Sequence, residues 1–303
     1  MILAPGTTQE WLDRRERSNV ATIKLIVWIA LRLGRPVARL LLHPICVYFV
    51  LFSRKPRRSS GAYLRKVLGR SIGFIDLFRH YHAFASCLLD RVFLLNDQQA
   101  LFDIRIHGEA LAANFLASGE GCLMFGAHLG SFEVIRALGH AQPGLRVDLA
   151  MFEDNARKIS SVLGAINASR TVEVIGLGRL GSMLRVEECL ERGDFVGLLT
   201  DRTIDGKSHG DIRYPFLGEP AAFATGPFRM AALLKRPVML GVGLYRGGNR
   251  YEVHFELLAD FSAVARDDRE AAIEQAIRHY AERIEHHTRS APYNWFNFFD
   301  FWH

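Results

Sequence analysis

Cysteine is scarce in this chain: Cys46, Cys87, Cys122 and Cys189 are the only four in 303 residues, and none forms a C-x-x-C pair. That spacing excludes a dithiol redox motif or a cysteine-based zinc site and predicts reduced core thiols in a cytosolic compartment. A G-x-S-x-G elbow is absent, and Ser131 lacks a nucleophile context, which argues against a serine hydrolase. No internal repeat or low-complexity linker breaks the chain. Its first 19 residues are polar and charged, so no cleavable signal peptide is expected. Acidic residues are few in one region: residues 1 to 100 carry 16 Lys and Arg against 6 Asp and Glu, whereas residues 101 to 303 carry 22 against 26. The basic end predicts an anionic partner.

Two apolar runs decide which one. "VATIKLIVWIALRL" (20 to 33) and "VARLLLHPICVYFVLFS" (37 to 53) precede Arg54, Lys55, Arg57 and Arg58. Basic residues flanking apolar runs fit lipid headgroups and not nucleic acid. Each run is shorter than the roughly 18 to 20 residues of a spanning helix, and Lys24, Arg32, Arg39 and His43 interrupt them. The expectation is insertion into one leaflet through residues 20 to 58. A bilayer-spanning hairpin and a buried core helix are the alternatives.

Phe74, Leu77, Phe78, Tyr81, Phe84, Ala85, Leu88, Leu89 and Val92 recur at helical spacing over 74 to 93, with His80 and His82 off that stripe as solvated or interhelical histidines. From residue 104 short strands alternate with helices. "IRIH" leads to a helix over 109 to 117, "CLMFGA" to one from about 130, "RVDLAM" to one over 154 to 168 and "TVEVI" to one over 182 to 192. "FVGLL" then leads to a polar loop at 203 to 213 and a helix from Thr225 to Lys235. "VMLGVGLY" and "YEVHFEL" make a hairpin around Gly247, Gly248 and Asn249, before a long helix over about 267 to 289. The fold expected is α/β, a mixed central sheet flanked by helices, with N-terminal amphipathic and hydrophobic helices. Residues 1 to 100 form the membrane-associating helical region and residues 101 to 303 the α/β domain.

Two motifs compete for the chemistry. "VIGLGRLG" carries Gly176, Gly178 and Gly181 after a β-branched run, with Asp201 about 20 residues on, the spacing of a dinucleotide-binding unit. Three strand-helix steps precede it and an antiparallel hairpin follows soon after, which is the wrong place for an NAD site. The glycines can equally serve close packing or leave room for a ligand. The second motif is "MFGAHLGSFEVIRALG" (124 to 139), in which an apolar strand ends at His128 and Glu133 opens a helix. Strand carboxyl ends are where α/β sheets build binding crevices. On one continuous helix His128 and Glu133 would stand about 140° apart. A helix starting after His128, with a bend at Gly130, lets Glu133 reach one imidazole nitrogen and leaves the other as a general base. The bland reading has His128 capping the strand and Glu133 favouring the helix dipole.

"HLGSFE" resembles the H-x-x-x-x-E/D motif of the lysophospholipid acyltransferase superfamily, in particular the late acyltransferases of lipid A biosynthesis. "VGLLTDR" followed by "YPFLGEPAAFATGPFRMAALLKRPVML" is similar to that family's downstream block. The resemblance covers about residues 20 to 303. It implies transfer of an acyl chain from an acyl carrier protein or coenzyme A thioester to a hydroxyl of a lipid or glycolipid, at the cytoplasmic face of a bacterial inner membrane. The thioester is a co-substrate, and no further cofactor is implied. His128 matches the family's base and Glu133 its acidic partner. Gly130-Ser131-Phe132-Glu133 stands where Gly-Asn-Trp-Glu is common, Asp201-Arg202 where Asp-Gln is usual, and "APYNWFNFFDFWH" lacks a frequent arginine pair. In these respects the chain more closely resembles a side branch that accompanies aryl polyene or related pathways.

Around this site Gly130, Ser131, Asp201 and Arg202 are candidate substrate-binding residues, with Arg202 on an acceptor phosphate or a thioester oxyanion, or in a plain surface ion pair. Arg157, Lys158, Arg179 and Arg213 are further anion-binding candidates. Tyr293, Trp295, Phe296, Phe298, Phe299, Phe301 and Trp302 line an acyl groove, lie in the bilayer interface or pack on the core. His279, His286 and His287 lack a cysteine or second histidine pair, so no metal is expected. Two other functions fit less of the chain: a non-catalytic lipid-binding protein, indifferent to loss of His128, and an NAD-binding oxidoreductase.

Overall fold

A computed structural model describes residues 20–141, 146–152, 174–178, 181–202 and 211–302. Five contiguous strands of its sheet are parallel: β2 (Leu123–Gly126), β3 (Val147–Phe152), β4 (Val174–Leu177), β5 (Phe195–Leu199) and β8 (Pro237–Tyr245). β9 (Arg250–Asp260) pairs antiparallel with β8, and β1 (Asp103–His107) pairs parallel with β9. The seven-stranded order is β1-β9-β8-β2-β5-β3-β4, a mixed sheet flanked by helices as expected. β2 and β8 are buried throughout, because strands covered on both faces need continuous apolar runs.

Period-two alternation divides the core. Met124, Phe195, Met239 and Val253 face one layer, built with α3 (Phe74–Leu94), α4 (Glu109–Ser118), α5 (Phe132–Ala141) and Val27, Ala30 and Ala38 of α1 (Val20–Phe52). Phe125, Val196, Leu198 and Leu240 face the other, built with α6 (Ser182–Glu191), α7 (Gly226–Leu233), α8 (Arg269–Ser290) and Tyr63, Leu64 and Val67 of α2 (Arg54–Leu68). Both layers therefore draw on the first hundred residues and on the sheet alike.

The N-terminal runs form one element, α1, broken at Gly34, whose φ of 80° and ψ of 165° leave the helical region. One face packs on α3 and reaches the end of β8: Arg35 makes a bidentate pair with buried Asp90 of α3 at 2.7 and 2.9 Å, and Arg39 donates to the hydroxyl of Tyr245 of β8 at 2.9 Å. Trp28, Leu33, Leu40, Tyr48 and Phe52 of the same element are exposed. By length and composition, Val27–Phe52 is long and apolar enough to cross a membrane.

Two elements depart from the sequence reading. The arginine-rich stretch after α1 is itself a helix, α2, because Tyr63, Leu64 and Val67 give it a buried stripe. "IRYPFLGEPAAF" is a hairpin of β6 (Ile212–Phe216) and β7 (Glu219–Phe223), in which Pro215 faces Pro220 and Leu217 and Gly218 turn with φ of 53° and 88°. Only Ile212 and Arg213 of it fall within the loop expected at 203 to 213, and prolines demote a run as strand, which is why the rest carries no strand signal. The helix expected over 154 to 168 and most of the polar loop at 203 to 213 lie outside the described residues.

Candidate active site

β2 and β5 are neighbours, with Gly126 beside Leu199. Two residues beyond that pair on each strand come His128 and Asp201, so the register alone sets imidazole against carboxylate. His128 Nδ1 lies 2.8 Å from Asp201 Oδ1, and the His128 backbone N–H donates to Asp201 Oδ2 at 3.1 Å. Trp295 Nε1–H donates to the same Oδ2 at 3.1 Å. An ionised carboxylate only accepts, so Nδ1 carries the proton and Nε2 presents its lone pair. The His128 side chain is 32% exposed and Asp201 2%, which leaves the imidazole edge open while the acid is sealed.

Burial raises Asp201, but the adjacent imidazole, its hydrogen bonds and the Arg202 charge outweigh it and hold the carboxyl down to about 2. Burial lowers His128, and Arg202 adds to that against the pull of Asp201, so the ring lies below its usual range and is neutral at pH 7.

The loop after His128 is held between the C-terminal segment and β8. Phe296 N–H donates to the His128 carbonyl at 2.7 Å, Gly130 N–H to Asn294 at 2.9 Å, and Ser131 N–H to Gly243 at 2.7 Å. Gly130 has φ of 71°, and a Cβ there would meet the Gly243 carbonyl at 2.0 Å. It makes the bend expected of it. Trp295, Phe296 and Trp302 are buried, so these residues of the C-terminal aromatic cluster pack on the core and wall the site.

Glu133 does not reach His128. It opens α5 as predicted, yet its Oε1 accepts from Arg136 Nη1 at 2.7 Å, one helical turn on, and Oε2 lies 4.0 Å from Arg91 Nε of α3. The Arg136 guanidinium captures the carboxylate, with Arg91 at longer range, and Asp201 takes the expected place at the imidazole. Ser131 Oγ is buried without a hydrogen-bond partner among the described residues. Arg202 donates to the Phe296 carbonyl at 3.2 Å and lies 4.9 Å over the Phe299 ring, a part-buried contact with the C-terminal segment. Arg213 is exposed on β6, away from this loop in sequence and sheet. Arg157, Lys158 and Arg179 lie outside the described residues.

The dinucleotide reading fails on topology. β4, which carries Gly176, is the edge strand, and β3 separates it from the strand that ends at Asp201. Asp201 is also fully engaged by His128 and Trp295. Gly178 and Gly181 instead take φ of 94° and 91° in the turn into α6.

A neutral imidazole held in one tautomer by a buried carboxylate can take a proton from a hydroxyl. Residues 82–303 match the family model of the bacterial lipid A biosynthesis acyltransferases. The chain belongs to this family. It is accordingly an acyltransferase acting on lipid, in a membrane-associated family whose match begins within α3. No curated protein matches it. The sequence offers Trp295 as groove, membrane or core residue without choosing among them, and gives no signal for Asn294, whose role is set by its contacts with Gly130 and Tyr245. Asp201 was visible as a strand-end acid near His128, but not as its partner, because β3 and β4 intervene in sequence between β2 and β5.

Proposed function

We propose that this acyltransferase moves an acyl chain from an acyl carrier protein or coenzyme A thioester to a hydroxyl of a membrane lipid or glycolipid. The His128–Asp201 pair, with Nε2 open, carries the reading. His128 Nε2 takes the acceptor's proton as its oxygen attacks the thioester carbonyl. The carbon–sulfur bond then breaks, and the thiolate leaves with the proton from the imidazolium. Asp201 stabilises that imidazolium and never needs to be protonated. No covalent enzyme intermediate is involved. In this scheme Glu133 holds Arg136 beside the loop, and Arg202 steadies the thioester oxyanion as it develops.

Membrane docking belongs to the same proposal. The exposed apolar face of α1 lies in one leaflet at the cytoplasmic side of the inner membrane, and the Arg35 and Arg39 contacts favour a helix lying along the body over one crossing the bilayer. A groove of about 380 Å³ lined by Arg54, Arg57, Arg58 and Arg65 opens beside it and suits anionic headgroups. Arg39 touches Tyr245, whose backbone N–H donates to Asn294, whose carbonyl holds Gly130, so three contacts run from α1 to the loop after His128. The departures at Ser131, Phe132 and Arg202 favour the aryl polyene side branch and an unusual donor chain.

The test is acyl transfer. Wild type and His128→Ala are incubated with labelled acyl carrier protein and coenzyme A thioesters and a total lipid extract, and products are read by mass spectrometry. A lipid that gains an acyl mass only with wild type supports the mechanism and names both substrates. Equal product from both proteins, or none from any donor, overturns it in favour of a lipid-binding role.

A further inference from the structure

A second cluster of chemically capable side chains gathers at the far edge of the sheet. β1 and β9 run in parallel register, with His107 beside His254 and Arg105 beside Glu252. Alternation puts Glu252, His254 and Glu256 on one face of β9, which α8 covers with Arg283 and His287. The His107 and His254 rings stack 4.5 Å apart at 11°, and His254 and His287 are 4.7 Å apart. Glu252 Oε2 lies 3.9 Å from His254 Nε2. One ligand atom from each of His107, Glu252 and His254 falls within 4.8 Å of the others.

The neighbours satisfy Glu256 and one oxygen of Glu252, and leave the His254 ring nitrogen facing the cluster. Arg283 makes two bonds to Glu256, and His287 Nε2 is 2.8 Å from Glu256 Oε1. Arg246 Nε donates to Glu252 Oε2 at 2.7 Å, which leaves the other Glu252 oxygen without it. His254 Nε2 is buried with no hydrogen-bond partner among the described residues. A buried ring nitrogen in that condition is a costly arrangement unless something binds it.

We propose that His107, Glu252 and His254 form a binding site for a divalent transition metal of the zinc class, with its remaining position open to solvent beside exposed His107. Two imidazoles and one carboxylate are a zinc donor set. Bonds of about 2.0 to 2.1 Å in a tetrahedron put ligand atoms about 3.3 Å apart, so side-chain rotation from the present spacing suffices. Arg246 then serves as the outer partner that orients the Glu252 carboxylate. The pairing of β1 with β9 brings His107 and His254 together across the sequence. An ion there ties the edge strand to its neighbour, and its binding is independent of the acyl-transfer reading.

The experiment uses full-length protein purified in detergent without a histidine tag and stripped with a chelator. Zn²⁺ is titrated by calorimetry, and thermal unfolding is followed with and without it, for wild type, His107→Ala, Glu252→Gln and His286→Ala. One equivalent should bind wild type and His286→Ala and raise their unfolding temperature. His107→Ala and Glu252→Gln should bind at least about tenfold more weakly, the lower end of what even an outer partner of a metal ligand contributes. Matching metal-free unfolding of wild type and His107→Ala excludes a folding defect as the cause. No stoichiometric binding, or binding unchanged in both His107→Ala and Glu252→Gln, overturns the site.

Discussion

Asp201 and Glu133 are both buried acids near His128, and they do different work. Asp201→Asn keeps the shape but cannot hold Nδ1 as a donor or balance an imidazolium, so kcat should fall about 10³- to 10⁴-fold with little change in folding. The pH profile checks the assignment. Because His128 lies below its usual value, kcat/KM should be flat at neutral pH and fall with one proton below about 6.5. Asp201 opposes that lowering, so the residual activity of Asp201→Asn should keep its acid limb at still lower pH. Glu133→Gln leaves the guanidinium of Arg136, 2% exposed, without its anion, and should cost about 3 to 5 kcal/mol in denaturant unfolding. If Glu133 were instead the imidazole's partner, its loss would move the acid limb and leave stability nearly intact.

Elements are joined at His80, which lies on α3 between α2 and the C-terminal segment. Ser60 Oγ pairs with His80 Nδ1 at 2.6 Å, and His80 Nε2 with the Trp295 carbonyl at 2.9 Å. A carbonyl only accepts, so Nε2 carries the hydrogen and Nδ1 accepts from Ser60, which requires a neutral ring. Burial pushes His80 down to about 4, against the pull of the carbonyl. The unfolded chain therefore binds one more proton between about 6.5 and 4, so stability rises with pH across that window and is lost as pH falls through it, by on the order of 3 kcal/mol. Unfolding of wild type and His80→Asn from pH 7 to 4 should show a steeper loss in wild type. Much at this scale was legible: the hairpin of β8 and β9, α3 and α8 follow from turn glycines and from periods of two and 3.6. What escaped was set by pairing between distant segments. Nothing local in "LLTDR" says that its strand lies beside "LMFG", and nothing in "RKPRRSSGAYLRKVL" says that Tyr63 meets Trp295. Glu133 was placed correctly at the start of α5, but its partners Arg91 and Arg136 compete with His128 in a way only packing decides.

For the whole molecule, the decisive asymmetry is the face formed by α1 and α2, apolar along one helix and arginine-rich along the next. Replacing Arg54, Arg57 and Arg58 by Gln should weaken binding to anionic vesicles about 100-fold, since each basic residue near such a surface contributes about 1 kcal/mol. Sedimentation with anionic and neutral vesicles, repeated at high salt, measures this, and equal binding of the variant to both would remove the groove from the docking surface. The sealing of Asp201 by Trp295 has a consequence in time. Asp201 and Trp295 are 94 residues apart, and α1 ends earlier still, at Phe52. At about 5 to 20 residues per second, a ribosome finishes α1 roughly 10 to 50 s before it adds Trp295. The last wall of the active site is thus made only after the base, its carboxylate and both N-terminal helices, so the imidazole–carboxylate pair stays open on one side until synthesis is nearly over.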